Sequence, residues 1–161
     1  MKKIVITGGL GYIGTELCKI YSGYSWNDKI TIIDNRFVSE RVNQIRNWNM
    51  NFIQGDILDK DLIKKYCHDA DIIHHLAGIT DVPRVRSESN NEHDEKIKRV
   101  AEEGTKNILD VISDKCKIVM PSTHVVYEGM EKVKNNIKED ELTSPVLAYG
   151  KSKDFNEKQL K

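Results

Sequence analysis

Cysteine is scarce in this 161-residue chain, and the three present, Cys18, Cys67 and Cys116, are widely separated and without a CxxC spacing. That argues against a disulfide framework and against a zinc site, so the three are expected as reduced core or surface thiols. Net charge is absent too: Lys and Arg total 25, Asp and Glu total 25, and the lysines are scattered rather than gathered in a block. Charge therefore gives no attraction for nucleic acid or for a membrane surface. Long apolar runs are also missing. Ile4–Ile6 and Ile30–Ile33 fall far short of the roughly 18 residues that a membrane span needs, and no apolar signal segment follows the N-terminal lysines. A cytoplasmic protein is the expectation. There is no repeat, low-complexity tract or linker, and the length suits a single domain.

What the chain does have is alternation. Lys3–Thr7 is a β-branched run that breaks into glycines, after which Ile13, Leu17, Ile20 and Tyr21 recur with helical spacing. Lys29–Ile33 reads as a second strand ending in Asp34, and Val42, Ile45 and Trp48 suggest a short helix within 36–49. Phe52–Gln54 is a third strand, followed by Asp59 as the N-cap of a helix on Leu62, Ile63 and Tyr66. Asp71–Leu76 is a fourth strand. The stretch 79–92, with Pro83 and the polar run Ser87–Asn91, reads as a loop before a long helix on Ile97, Val100, Ala101, Gly104, Ile108, Val111 and Ile112, with Gly104 in close packing. Lys117–Met120 is a fifth strand, 122–146 is mostly loop, and a last helix starts near Ala148. Such alternation predicts a Rossmann-type, doubly wound α/β fold with about five parallel strands in the order 3-2-1-4-5 and a ligand at their carboxyl ends.

The glycines sit at the first of those ends. Gly9, Gly11 and Gly14 satisfy G-x-G-x-x-G, and Gly8, Gly11 and Gly14 the related G-x-x-G-x-x-G. Both spacings serve a tight turn, a backbone free to approach pyrophosphate, and helix N–H groups aimed at the anion. Asp34, at the end of the second strand, is placed to accept from ribose hydroxyls, which favours NAD over NADP. Arg36 nearby leaves NADP as the lesser alternative, because it can pair with a 2′-phosphate or stack on adenine. Asp56 and Ile57 can accept from the adenine amino group and pack on its ring, or Asp56 can simply close a turn.

Tyr149 and Lys153, four apart on the last helix, share one face. A phenol is a poor base at neutral pH, and a neighbouring ammonium with a bound nicotinamide cation both favour its phenolate. Thr123, beside Ser122 past the fifth strand, can donate to a substrate oxygen. His74 and His75 are adjacent on a strand and face opposite sides, so they cannot ligate one metal together and take core or loop roles. No metal site is expected. The lysines of 151–161 read as a solvated helix face.

Taken together, TGGLGYIG at 7–14, Asp34-Asn35, Gly55-Asp56-Ile57, HHLAG at 74–78, EGTKN at 103–107, PSTHVVY at 121–127 and YGKSK at 149–153 resemble the extended short-chain dehydrogenase/reductase family, the NAD-dependent nucleotide-sugar epimerases and dehydratases. The resemblance covers nearly the whole chain. It implies Tyr149 as catalytic base, Lys153 on the nicotinamide ribose, and Thr123 on the reacting hydroxyl. It further implies a cofactor lined by Gly8, Gly11, Tyr12, Ile13, Gly14, Asp34, Asn35, Arg36, Asp56, Ile57, Leu76, Ala77 and Gly78, along with Tyr149 and Lys153.

Where family dehydratases resemble S-T-D-E-V-Y, this chain has His124 and Val125 in place of the acidic pair, which points away from 4,6-dehydration. Asparagine, usual near Val100 and Ala101, is absent there. Family members continue into further strands and a C-terminal nucleotide-sugar region. The expectation is thus one NAD-binding domain over 1–161, the N-terminal part of an epimerase, with a dinucleotide-binding module that turns nothing over as the alternative. The implied partners are a nucleotide-sugar and either a homodimer through helices near 92–113 and 148–161 or a separate C-terminal half.

Overall fold

The computed structural model describes residues 1–24, 27–80, 90–132 and 134–161. Most of the loop expected over 79–92 lies outside them.

Strand β1 (Lys3–Thr7) is central and pairs in parallel with β2 (Lys29–Asp34) on one side and β4 (Ile72–His75) on the other. Strands β3 (Asn51–Gln54) and β5 (Lys117–Val119) complete a parallel sheet in the order β3-β2-β1-β4-β5, as the alternation of elements predicts. Side chains alternate across the pleat. Ile4, Ile6, Ile30 and Ile32 therefore form one buried face, packed with Leu10, Cys18, Val42, Ile45 and Met50. Val5, Thr7, Ile33, Ile73 and His75, of the opposite parity, are also buried. A sheet covered on both faces needs strands apolar throughout, which is why these runs show no polar alternation.

Helix α1 (Tyr12–Ser22) is rotated from the apolar stripe expected of it. Ile13 and Ile20 are exposed, while Gly14 and Cys18 are buried and Leu17 and Tyr21 pack partly against the core. The cause is Gly14, where a Cβ would stand 2.6 Å from both the Gly8 oxygen and the Gly9 Cα. Backbone contact at that point fixes which side of the helix turns inward, and the isoleucines flanking it turn out.

Helix α2 (Ser39–Asn47) buries Val42 and Ile45, as expected. Helix α3 (Lys60–Cys67) has the expected cap, with Asp59 Oδ1 accepting from the N–H groups of Asp61 and Leu62. It buries Ile63 and Cys67, with Leu62 and Tyr66 only partly covered. Helix α4 (Asn91–Leu109) stops before Val111 and Ile112, which follow in a turn. Gly104 is packed closely, since a Cβ there would overlap the side chain of Ile57. All three cysteines are free thiols, two buried and Cys116 partly so. Among the described residues no helix is long and apolar enough to cross a membrane.

The chain forms two compact units: residues 1–78 with 104–121, and residues 79–103 with 122–161. The first holds the whole sheet. The second holds a 3-10 helix (His124–Tyr127) and α5 (Ala148–Gln159).

Candidate functional site

The first unit gathers the carboxyl ends of β1 to β4 around the glycine loop. Gly8 has φ +70, and a Cβ on it would lie 2.6 Å from the Ala77 nitrogen, so β1 and β4 meet there backbone to backbone. Its N–H donates to the Ile33 carbonyl at 2.7 Å. The Gly11 N–H turns back to the Gly8 carbonyl at 3.0 Å, closing the loop. Gly11 is also the N-cap of α1 and offers no side-chain cap, which leaves the first-turn amides to an outside acceptor. A side chain at Gly11 would meet only the Gly8 oxygen at 3.1 Å and the Arg36 guanidinium at 3.9 Å. The loop is thus a cradle whose walls are backbone and whose outward side is open. Tyr12 and Ile13, both exposed, stand at its rim.

Asp34 is 5% exposed, and both of its oxygens accept hydrogen bonds while keeping room for a further donor. Its Oδ2 accepts from the Leu10 N–H at 3.0 Å, and its Oδ1 accepts from the Arg36 N–H at 3.0 Å and from Arg36 Nε at 3.4 Å. The carboxylate is therefore tied to the glycine loop on one side and ion-paired on the other. Asn35 Nδ2 donates to Asp56 Oδ2 at 3.0 Å, while Asp56 Oδ1 accepts from the Leu58 N–H at 3.0 Å. Asp56 thus closes a turn, as one of its two readings has it, and that role is compatible with the other, acceptance from adenine. Ile57 is buried with its side chain against Gly104, and its carbonyl accepts from Asn107 Nδ2 at 3.0 Å. Past β4, the Leu76 N–H donates to the Thr7 carbonyl and the Ala77 N–H to Thr7 Oγ1, while a Cβ at Gly78 would meet nothing within 4 Å among the described residues.

In the second unit Thr123 caps the 3-10 helix, its Oγ1 accepting from the Val125 N–H at 3.4 Å. Tyr149 and Lys153 share a face of α5 as the spacing predicts, with the Lys153 Nζ 5.9 Å from the centre of the tyrosine ring. Burial pushes the Tyr149 phenol above its ordinary value and the Lys153 ammonium below its own. The expected lowering of the phenol is tied to a bound nicotinamide cation as well as to the ammonium neighbour, and the shift here is set by burial alone. The lowered lysine is the counterpart of the same burial.

The two histidines take separate structural places. His74 Nε2 lies 2.8 Å from the Tyr21 hydroxyl, and His75 bridges Thr7 Oγ1 at 2.8 Å and Thr105 Oγ1 at 3.1 Å on the other face of the sheet. Among the described residues no group of three or more His, Cys, Asp or Glu could hold a metal ion. Sequence reasoning missed Arg41, Thr105, Asn107 and Glu128. Arg41 Nη1 donates to the Leu10 carbonyl. Glu128 Oε1 accepts from the N–H groups of Val146 and Leu147 at 2.8 and 2.7 Å, just before α5. For Thr105 and Asn107 a signal existed, because both are polar residues on the inward side of an amphipathic helix beside Gly104 and Ile108.

A parallel 3-2-1-4-5 sheet with a glycine cradle at the end of β1 and an acid at the end of β2 defines a Rossmann-type dinucleotide fold. The model of the 3-beta hydroxysteroid dehydrogenase/isomerase family matches residues 5–161. UDP-glucose 4-epimerase of Neisseria meningitidis serogroup C is 30% identical over 174 residues, which cover 99% of this chain and 48% of that protein. Among solved structures, a UDP-N-acetylglucosamine 4-epimerase from Methanobrevibacter ruminantium, in complex with UDP-N-acetylmuramic acid, is 27% identical with a TM-score of 0.79, over 99% of this chain and 49% of that one. A UDP-glucose 4-epimerase from Brucella ovis in complex with NAD is 25% identical with a TM-score of 0.78, over 99% and 47%. The chain belongs to the extended short-chain dehydrogenase/reductase family, that of the nucleotide-sugar epimerases and dehydratases. It spans about half the length of the curated relatives it matches.

Proposed function

We propose that this chain is the cofactor-binding half of an NAD-dependent nucleotide-sugar epimerase. The observation that carries the reading is the Asp34 carboxylate, buried and bonded to the Leu10 N–H, so that a ribose-reading acid is fastened to the phosphate-reading loop. The cradle fits the group: its glycines exclude side chains from the place where pyrophosphate would lie, and α1 presents uncapped amides toward it. Gly8, Gly11 and Gly14 shape that place, Tyr12 and Ile13 edge it, and Asp34 and Asn35 take the adenosine ribose. Leu76, Ala77 and Gly78 line the cofactor beyond it. A 2′-phosphate would be set against the Asp34 carboxylate, which supports NAD over NADP even with Arg36 at hand.

A bound NAD would supply the acceptor for a hydride from the sugar carbon, which would come back to the opposite face of the keto sugar. Tyr149 as phenolate removes the hydroxyl proton, and Lys153 holds the nicotinamide ribose and stabilises the phenolate. Thr123 hydrogen-bonds the reacting oxygen. His124 and Val125 offer no acid pair for dehydration, which supports epimerisation. The substrate is a nucleotide-sugar, the place of action the cytoplasm, and the partner a second copy through the helices near 92–113 and 148–161 or a separate C-terminal half. A second reading, a dinucleotide-binding module without turnover, draws support from the burial that pushes the Tyr149 phenol up and the Lys153 ammonium down, against the charged forms that catalysis needs.

Calorimetric titration tests the cofactor. NAD should bind the 161-residue chain at least about tenfold tighter than NADP, a difference of about 1.4 kcal/mol. No NAD binding, or a preference for NADP, would overturn the proposal. Formation of UDP-galactose from UDP-glucose by the NAD-loaded chain would rule out the second reading.

A further inference from the structure

The glycine loop is flexible by composition, yet its orientation decides everything at a phosphate site. In Gly9-Leu10-Gly11 each peptide plane can turn its N–H or its C=O toward an anion, and only the N–H attracts it. Glycine on both sides of Leu10 leaves the local chain little means of choosing between the two. Leu10 itself is fully buried, and both of its backbone polar groups are held from outside the loop. Its N–H donates to Asp34 Oδ2 at 3.0 Å, and its carbonyl accepts from Arg41 Nη1, brought in from α2. In a trans peptide the C=O and the next N–H point opposite ways. Holding the Leu10 carbonyl on Arg41 therefore sends the Gly11 N–H toward the Gly8 carbonyl, which it meets at 3.0 Å.

Resting on the dinucleotide reading above, we propose that Arg41 is a positioning residue of the cofactor site. Its guanidinium clamps the Leu10 carbonyl opposite the Asp34 clamp on the Leu10 N–H and holds closed the glycine turn from which the uncapped amides of α1 reach toward pyrophosphate. Arg41 lies on α2, the helix between β2 and β3, and reaches the site through the loop. A charged donor spent on a neutral carbonyl fits that duty. Arginine suits it better than lysine because its planar fork holds direction as well as charge.

The test compares NAD, ADP-ribose and adenosine on the wild-type chain and on Arg41→Met, Arg41→Lys and Arg46→Met. NAD and ADP-ribose carry the pyrophosphate; adenosine does not. Arg41→Met should weaken both by about tenfold or more while adenosine, followed by NMR shift titration, stays within about twofold. Arg41→Lys should fall between, and Arg46→Met, on the same helix, should match wild type. Without ligand, amide exchange at Gly11 should quicken in Arg41→Met. If Arg41→Met does not fold, Arg41→Lys carries the comparison through the same ratio of pyrophosphate-bearing to phosphate-free ligand. Equal weakening of adenosine and NAD, or unchanged NAD affinity with unchanged exchange, overturns the clamp. Failure of the wild-type chain to bind NAD at all instead overturns the dinucleotide reading on which the clamp rests.

Discussion

Thr7 Oγ1 and His75 Nδ1 lie 2.8 Å apart, buried across the pairing of β1 with β4. The same hydroxyl accepts from the Ala77 N–H at 3.3 Å, and the far nitrogen of His75 reaches Thr105. A polar side chain thus joins the central strand, its neighbour and α4 at the point where the glycine loop departs. Thr7→Val keeps the shape and removes the hydroxyl, so it should cost about 1–3 kcal/mol in urea unfolding. Thr7→Ser, which retains the group, should cost less. Equal losses for the two would show that the methyl, not the hydroxyl, matters there.

Gly8 tolerates no side chain, on two independent grounds: φ is +70, and a Cβ would stand 2.6 Å from the Ala77 nitrogen. Because the obstructing atoms are backbone, no rotamer relieves the overlap. Gly8→Ala should lose about 2–4 kcal/mol or fail to fold, beyond the usual range for a surface change. Urea unfolding checks it, and a loss under about 0.5 kcal/mol would contradict the contact.

Cys18 and Cys67 have thiols pushed by burial from 9.0 to about 12. The folded pKa lies above the unfolded one, so the folded state keeps its protons longer. The stability this contributes is complete below pH 9 and is lost as pH rises toward 12. Each group should add about 1.4 kcal/mol of loss per pH unit in that window. Unfolding midpoints of the wild type should fall more steeply above about pH 9 than those of a Cys18→Ala, Cys67→Ala double variant, whatever their baseline difference. Parallel slopes would rule the thiols out as the cause.

Glu128 receives the N–H groups of Val146 and Leu147 and so sets the start of the helix that carries Tyr149 and Lys153. Glu128→Ala should destabilise by about 1–2 kcal/mol, with faster amide exchange concentrated at the beginning of α5. Glu128→Gln, still an acceptor, should recover part of both. Uniform exchange across the chain would argue against a local anchor.

The sheet order and the glycine, Asp34 and Tyr149–Lys153 positions were legible because each depends on local pattern: runs of β-branched residues, spacing of glycines, a four-residue helical step. The Asp59 cap was legible for the same reason. What escaped depends on partners far along the chain. The face of α1 was misread because apolar letters mark Ile13 and Ile20, whereas a backbone contact at Gly14 decides the rotation. Arg41 reaches a carbonyl 31 residues away and Glu128 an amide 18 away, and no periodicity announces either. Nor does the sequence name the partners of Asp56, Asn35 across the sheet end and Leu58 two residues on.

The position of β1 at the centre of the sheet governs when the loop is completed during synthesis. Its fingerprint residues are translated before the fourth strand, but the wall that Gly8 rests against is Ala77, and the hydroxyl at the end of β1 waits for His75. Parallel pairing over such separations forms late and without local turns to guide it. A nascent chain that has released only the first three strands holds the glycine signature with no finished cradle, so the site is made by the arrival of the fourth strand. A fragment ending before β4 should therefore bind no dinucleotide, which titration of residues 1–70 with NAD would check.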